Sequence, residues 1–122
     1  MSKQEQFLSV IRELRENVPE ITGVMVATVD GLSIATDFPP DEGARVAAMG
    51  ASSIGLGNRM TKVTDVGTMQ DMLIEGDNGI IVIYMAGNGG ILALRAPRGA
   101  NLGLIRLDGP VAAEKVAKIM SG

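Results

Sequence analysis

Glycines are the first place in this chain to look for chemistry. Gly50 and Gly55 have the G-x4-G spacing of a phosphate loop, in which main-chain amides cradle phosphate and a following Lys and Ser/Thr reach phosphate and Mg²⁺. Here Leu56 and Gly57 follow instead, so the spacing is accidental. Gly55-x-Gly57 lacks the third glycine of a dinucleotide fingerprint, and Gly87 to Gly90 reads as a turn. Arg95, Arg98 and Arg106 lie near the expected start of the last helix, whose free amides can hold an anion. A fortuitous cluster of charges is the simpler account of them. Asp77-Asn78-Gly79 lacks the rest of a calcium loop, and no Asp or Glu pair sits in a recognisable catalytic frame.

What the chain lacks is equally informative. It has 122 residues with no His and no Cys. That removes His bases, thiolate nucleophiles, Ser-His-Asp triads, disulfides and the usual zinc sites. No catalytic residue, cofactor or metal is expected, and the chain reads as a non-enzyme. The net charge of -3 disfavours binding to phosphate backbones, and Tyr84, Phe7 and Phe38 are the only aromatic side chains available for stacking on bases. Neither nucleic acid nor membrane is an expected partner. No basic segment followed by an apolar run opens the chain, so no signal peptide is read, and a cytoplasmic location is expected. Asn78 to Leu94 carries no charge, yet Gly87, Asn88, Gly89 and Gly90 divide it into two strand-length pieces.

The length suits one domain spanning residues 1–122. Its central element is a helix over Asp41–Val63 without charge between Val46 and Asn58. One lane of it, Val46, Met49, Ser53, Leu56, Met60 and Val63, has the spacing of a core-facing stripe. The neighbouring lane, Gly43, Ala47, Ala51 and Gly55, is small at every fourth residue, and small residues let backbones approach closely. Interior glycines weaken a lone helix by about 1 kcal/mol each, so packing must compensate at Gly50, Gly55 and Gly57. A helix buried inside a monomer is one solution. The other sets the Met/Val/Leu lane on the sheet and the small lane on a second copy, in which case Ala51→Arg splits a dimer.

The remaining elements follow in order. Ser2 and Glu5 fit a capping box that starts a helix with Phe7, Ile11, Leu14 and Val18 on one stripe, stopped by Pro19. Thr22 to Val29 is a strand apolar on both faces, so helices should cover both sides of its sheet. Asp30-Gly31 predicts a type I′ hairpin turn into a second strand ended by Pro39-Pro40. Thr68 to Glu75 is a more polar edge strand, open to pairing with another chain. Ile80 to Met85 and Ile91 to Ala96 are central strands. From Asn101, Leu102, Ile105, Gly109, Ala112, Val116 and Ile119 keep one helical phase straight through Pro110, which predicts a single kinked helix. Two helices, with Asp108 capping the second, is the competing reading. The expected fold is a three-layer α/β/α sandwich on a five-stranded antiparallel sheet.

The sequence resembles the roadblock, or dynein-light-chain, family. The likeness lies in GVMVATVDGLSIAT as first hairpin, AAMGASSIGLG in the long helix, the IIVIYMAGNGGILAL meander and NLGLIRL opening the last helix. It runs over essentially the whole chain and is carried by the order and lengths of these pieces. The resemblance implies dimers in which the long helices lie side by side and the third strands pair into one sheet. It implies a partner or regulator of a Ras-like small GTPase, a scaffold or GTPase-activating protein of the mutual-gliding type. A nucleotide-independent dimeric adaptor in a larger complex is the alternative, and a small-molecule sensor a third. The Asp108-Gly109-Pro110 interruption departs from the uninterrupted final helix of that pattern.

Carried onto this chain, the implied dimer interface is Ala47, Gly50, Ala51, Ile54, Gly55, Met69, Asp71 and Leu73. The implied GTPase contacts are Arg45, Asn58, Arg59 and Lys62. Arg45 and Arg59 are also the only positions suited to an arginine finger, worth about 10³ to 10⁵ in rate. Solvated charges flanking an interface are the simpler reading of both.

Overall fold

The computed structural model describes all 122 residues. Helix α1, Lys3–Asn17, begins at the anticipated capping box: Ser2 Oγ accepts from the Glu5 amide at 3.1 Å and Glu5 Oε1 accepts from the Ser2 amide at 3.3 Å. Strands β1 (Gly23–Thr28) and β2 (Ser33–Thr36) precede the long helix α2, Pro40–Val63. Strands β3 (Asp71–Glu75), β4 (Gly79–Ala86) and β5 (Gly90–Pro97) then lead to α3, Leu102–Ser121. All pairings are antiparallel and the sheet order is β2-β1-β5-β4-β3, so β3 is an edge.

Alternation along the strands divides the interior into two unequal cores. Val24, Val26, Val82, Tyr84, Leu92 and Leu94 face α1 and α3 in a core of 20 buried residues. Met25, Ala27, Ile83, Ile91 and Ala93 face α2 in a core of only 9. That difference has a direct cause in α2. Its buried residues are Gly43, Ala47, Gly50, Ile54 and Gly57, so the helix brings little side-chain volume and lies close on the sheet. A Cβ on Gly57 would fall 2.3 Å from Met69 Sδ, and one on Gly50 would fall 3.2 Å from Ile91 Cδ1.

The lane assignment on α2 is therefore corrected. Gly43 and Ala47 of the small lane, joined by Gly50, Ile54 and Gly57, pack on the chain's own sheet, while Ala51 is half-buried, Gly55 is exposed, and Met49, Leu56, Met60 and Val63 of the large lane lie outside. Ala47, Gly50 and Ile54 are enclosed within the protomer and expose no surface for a dimer contact, and Met69 is likewise buried. A close helix-to-sheet approach uses small residues for the same steric reason as a close helix pair.

Two local expectations also change. Asp30 does not adopt positive φ; only Gly31 does, at +94°. The Thr28 carbonyl accepts from the Gly31 amide at 3.0 Å, which is the longer hairpin loop with glycine in the left-handed position rather than a type I′ turn. Strand β3 begins at Asp71, because Met69 turns inward beneath Gly57. The last helix is single, with Pro110 inside it and Asn101 Oδ1 accepting from the Leu104 amide at 3.0 Å. Gly109 permits close contact with β4, since a Cβ there would lie 2.6 Å from the Tyr84 ring.

Candidate protein-interaction surface

Turning the small lane inward turns the large lane outward. Met49 is 60% exposed, Leu56 58%, Met60 65% and Val63 85%. Helical phase places Ser53 and the half-buried Val46 beside them on the flank that faces β3. The opposite flank carries Ala48 and Ala51 against the β1–β2 turn, where a Cβ on Gly31 would lie 3.6 Å from Ala51 Cβ, with Gly55 in open space one turn further on. Ala51 and Gly55 thus sit on the side away from β3.

Helix α2 crosses the sheet diagonally, from Thr36 and Met25 at Gly43 to Met69 and Met72 at Gly57. One corner of the sheet stays uncovered. Ile74, Ile81 and Arg95, aligned across β3, β4 and β5, line an open groove of about 470 Å³ there. The groove opens beside the β3 edge, where Ile74 is itself exposed, and the large lane of α2 adds four exposed apolar side chains to the molecule's surface. Ordinary monomer surfaces expose apolar residues singly, whereas contiguous patches mark interaction sites.

Strand β3 adds unpaired main chain to that surface. Asp71 and Leu73 are half-buried on its α3 side, and the Arg106 guanidinium lies 4.0 Å from the Asp71 carboxylate. Behind them Tyr84 donates to the Ile105 carbonyl at 3.5 Å. Burial pushes its phenol up to about 12, the nearby Asp71 carboxylate adding to the effect and Arg106 opposing it.

Arg45 and Arg59 lie on the outermost side of α2, and helical phase sets Lys62 on the flank with Ala51 and Gly55. Arg45, Arg59 and Lys62 are exposed and make no ion pair, while Asn58 is half-buried on the flank away from β3. Arg45 and Arg59 share the outward face about 21 Å apart. The arginines once grouped near the last helix are dispersed. Arg95 pairs with Glu42 and lies 4.7 Å from the centre of the Phe38 ring, Arg98 donates to the Asp77 carbonyl at 3.4 Å, and Arg106 attends Asp71. No anion site forms among them. Gly50 and Gly55 lie within α2 itself, a helical setting in which no phosphate loop exists.

Met49, Leu56, Met60 and Val63 are the surface residues that sequence reasoning assigned to the core. A signal for their true placement was present: Asp41, Arg45 and Arg59 fall on nearly one helical phase, opposite Gly43, Gly50, Ile54 and Gly57. Charge marks the wet side of a helix when apolar size does not.

Known proteins share this fold. The chain is 38% identical over 97 residues to the uncharacterized protein MJ1340 of Methanocaldococcus jannaschii, spanning 79% of this chain and 84% of that one. In fold it is similar to the gliding protein MglB of Thermus thermophilus, with a TM-score of 0.87 at 20% identity over 99% of this chain and 93% of that one. It is also similar to an MglB solved in a tetrameric arrangement, with a TM-score of 0.89 at 21% identity over 99% and 92% of the two chains. The Roadblock/LC7 domain profile matches residues 9–96, and the chain belongs to the Roadblock/LC7 domain family.

Proposed function

We propose that this protein is a homodimeric partner and regulator of a Ras-like small GTPase, acting as scaffold or GTPase-activating protein. The observation that carries the reading is the exposed Met49-Leu56-Met60-Val63 lane, together with an unpaired β3 edge. In the dimer two α2 helices lie side by side through this lane, and Asp71 and Leu73 pair across the β3 edges. Ala51 and Gly55 remain outside that contact. Burying the exposed part of Leu56 or Met60 contributes roughly 1 to 2 kcal/mol per side chain.

Side-by-side packing leaves the outermost face of each α2 open, so the dimer displays two copies of Arg59 along a ridge, with Lys62 on its outer flank and Arg45 at the N-terminal end of the lane. That ridge suits a partner surface bearing acidic groups, and charge there acts chiefly on association rate and selectivity. Regulation is supported by family membership and by likeness to proteins named for gliding. Catalytic groups are left to the GTPase, whose own residues the dimer repositions.

Capture from the source organism's lysate, in parallel with GDP and with a non-hydrolysable GTP analogue, tests this. Enrichment of a Ras-like GTPase with the analogue alone supports the proposal. A set of large partners captured equally in both arms replaces it with the adaptor reading.

A further inference from the structure

The register in which two β3 edges meet can be worked out from one protomer. The Gln70 carbonyl accepts from the Met85 amide at 3.4 Å, and the Gly76 amide donates to the Gly79 carbonyl at 2.8 Å. Antiparallel alternation over the β3–β4 register then turns the main chains of residues 70, 72, 74 and 76 toward β4. Those of Asp71, Leu73 and Glu75 face outward. A two-fold axis can centre the joint on Met72, Leu73 or Ile74. Centring on Leu73 engages all three outward residues of both strands, in roughly six main-chain hydrogen bonds. Either neighbouring choice leaves an outward residue overhanging and drops to roughly four.

The fuller register has an electrostatic cost. It sets Asp71 directly opposite Glu75 of the partner subunit, twice, on the α3 side of the sheet, and like charges so placed are destabilising. Arg106 answers it from α3: its guanidinium is half-exposed and already 4.0 Å from Asp71. Facing Cβ atoms lie only about 4.5–5.5 Å apart, so one planar fork spans both carboxylates. On the other face of the sheet, Met72 meets Ile74 of the partner subunit, extending the apolar lane of α2.

We propose that the dimer pairs through β3 in the register centred on Leu73, with Arg106 of each copy bridging its own Asp71 and Glu75 of the partner subunit. The inference rests on the homodimer reading above. It makes Arg106 the residue that selects a second copy of this chain as the strand partner.

The chain has no cysteine, so single substitutions read the register directly. Under oxidation, Leu73→Cys should crosslink, because its two Cα atoms lie about 5.5 Å apart. Met72→Cys and Ile74→Cys should not, since their copies sit roughly 8 Å apart, beyond the span of about 7 Å that a disulfide bridges. Crosslinking at Met72 or Ile74 instead overturns the register while leaving the dimer in place. A dimeric mass with no crosslink at any of the three overturns β3 pairing, and a monomeric mass for the unsubstituted chain overturns the dimer reading itself. For the bridge, Arg106→Ala should weaken the dimer roughly five- to thirtyfold over its two copies. Glu75→Lys should rescue Arg106→Ala, because Lys then faces Asp71 of the partner subunit directly. Indifference of the dimer constant to Arg106→Ala, or failure of Glu75→Lys to restore it in that background, overturns the bridge.

Discussion

Leu56→Arg is the substitution on which the two lane assignments for α2 disagree most. Leu56 is 58% exposed and lies midway along the outward lane, so the protomer should fold normally with arginine there. In the proposed dimer, however, each copy buries what the protomer leaves open. Full burial of a leucine is worth roughly 1.5 to 3 kcal/mol. A little over half of that, lost in both copies, comes to about 2 to 3 kcal/mol, or roughly 30- to 150-fold in dimer Kd. Two guanidinium groups facing each other near the two-fold axis, desolvated and without acidic partners, add to the loss. The assay is sedimentation velocity across a micromolar concentration series, with far-ultraviolet circular dichroism to confirm that the variant is folded. A folded monomer is expected. Ala51→Arg, on the flank beside Gly31, should keep the wild-type mass because its long side chain reaches water. A folded Leu56→Arg dimer alongside an Ala51→Arg monomer would refute the placement of the lanes.

Four further outcomes follow from the same geometry. Arg59→Glu should lower GTPase affinity about tenfold or more by calorimetry while leaving the dimer mass unchanged, as expected of an exposed charge outside the α2 contact. Gly109→Ala should destabilise by about 1 to 2 kcal/mol, because a Cβ 2.6 Å from the Tyr84 ring overpacks a rigid neighbour and outweighs the gain of about 1 kcal/mol in helix propensity; urea unfolding at fixed protein concentration measures it. Gly55→Ala has open space within 4 Å and should instead gain up to about 1 kcal/mol in the same assay. Tyr84 is the only tyrosine, so phenolate absorbance isolates it: the folded midpoint should lie near 12 against about 10 unfolded. Because the folded value is the higher one, its stabilisation is whole below pH 10 and is lost between about pH 10 and 12, by about 2 to 3 kcal/mol; Tyr84→Phe should remove that part of the slope.

Much of the fold was legible because it rests on short-range chemistry. Ser2 and Glu5 announce a capping box whatever follows them, and Pro19 closes that helix for local steric reasons. The phase shared by Ile105, Gly109, Ala112 and Val116 identified one final helix, since the glycine before Pro110 brings the helix onto the Tyr84 ring. The mixed polarity of Thr68 to Glu75 marked an edge strand, and the strand forms at the edge over Asp71–Glu75. The rotation of α2 about its own axis was not legible from residue size. Gly43, Gly50 and Gly57 serve close approach to a sheet as readily as close approach to a helix, and a methionine lane suits a core as well as an interface. Only the phase of Asp41, Arg45 and Arg59 separates the two. The hairpin failed on a single torsion, as Asp30 stays at negative φ and Gly31 alone takes the left-handed position. Arg95, Arg98 and Arg106 are near in sequence but are drawn to Glu42, Asp77 and Asp71 in different parts of the fold. Spacing carried no information about those long-range partners.

The central claim is that a dimer of this chain distinguishes the nucleotide states of a small GTPase. It is tested most directly by titrating the purified protein with the Ras-like GTPase encoded nearest to it, loaded in turn with GDP and with a non-hydrolysable GTP analogue. A regulator must bind the two states with different affinity, because equal affinity shifts no equilibrium. The account predicts binding at least tenfold tighter to the analogue-loaded form, with two copies of this chain in each complex. Equal affinity for both forms, or binding by a single copy, would contradict it.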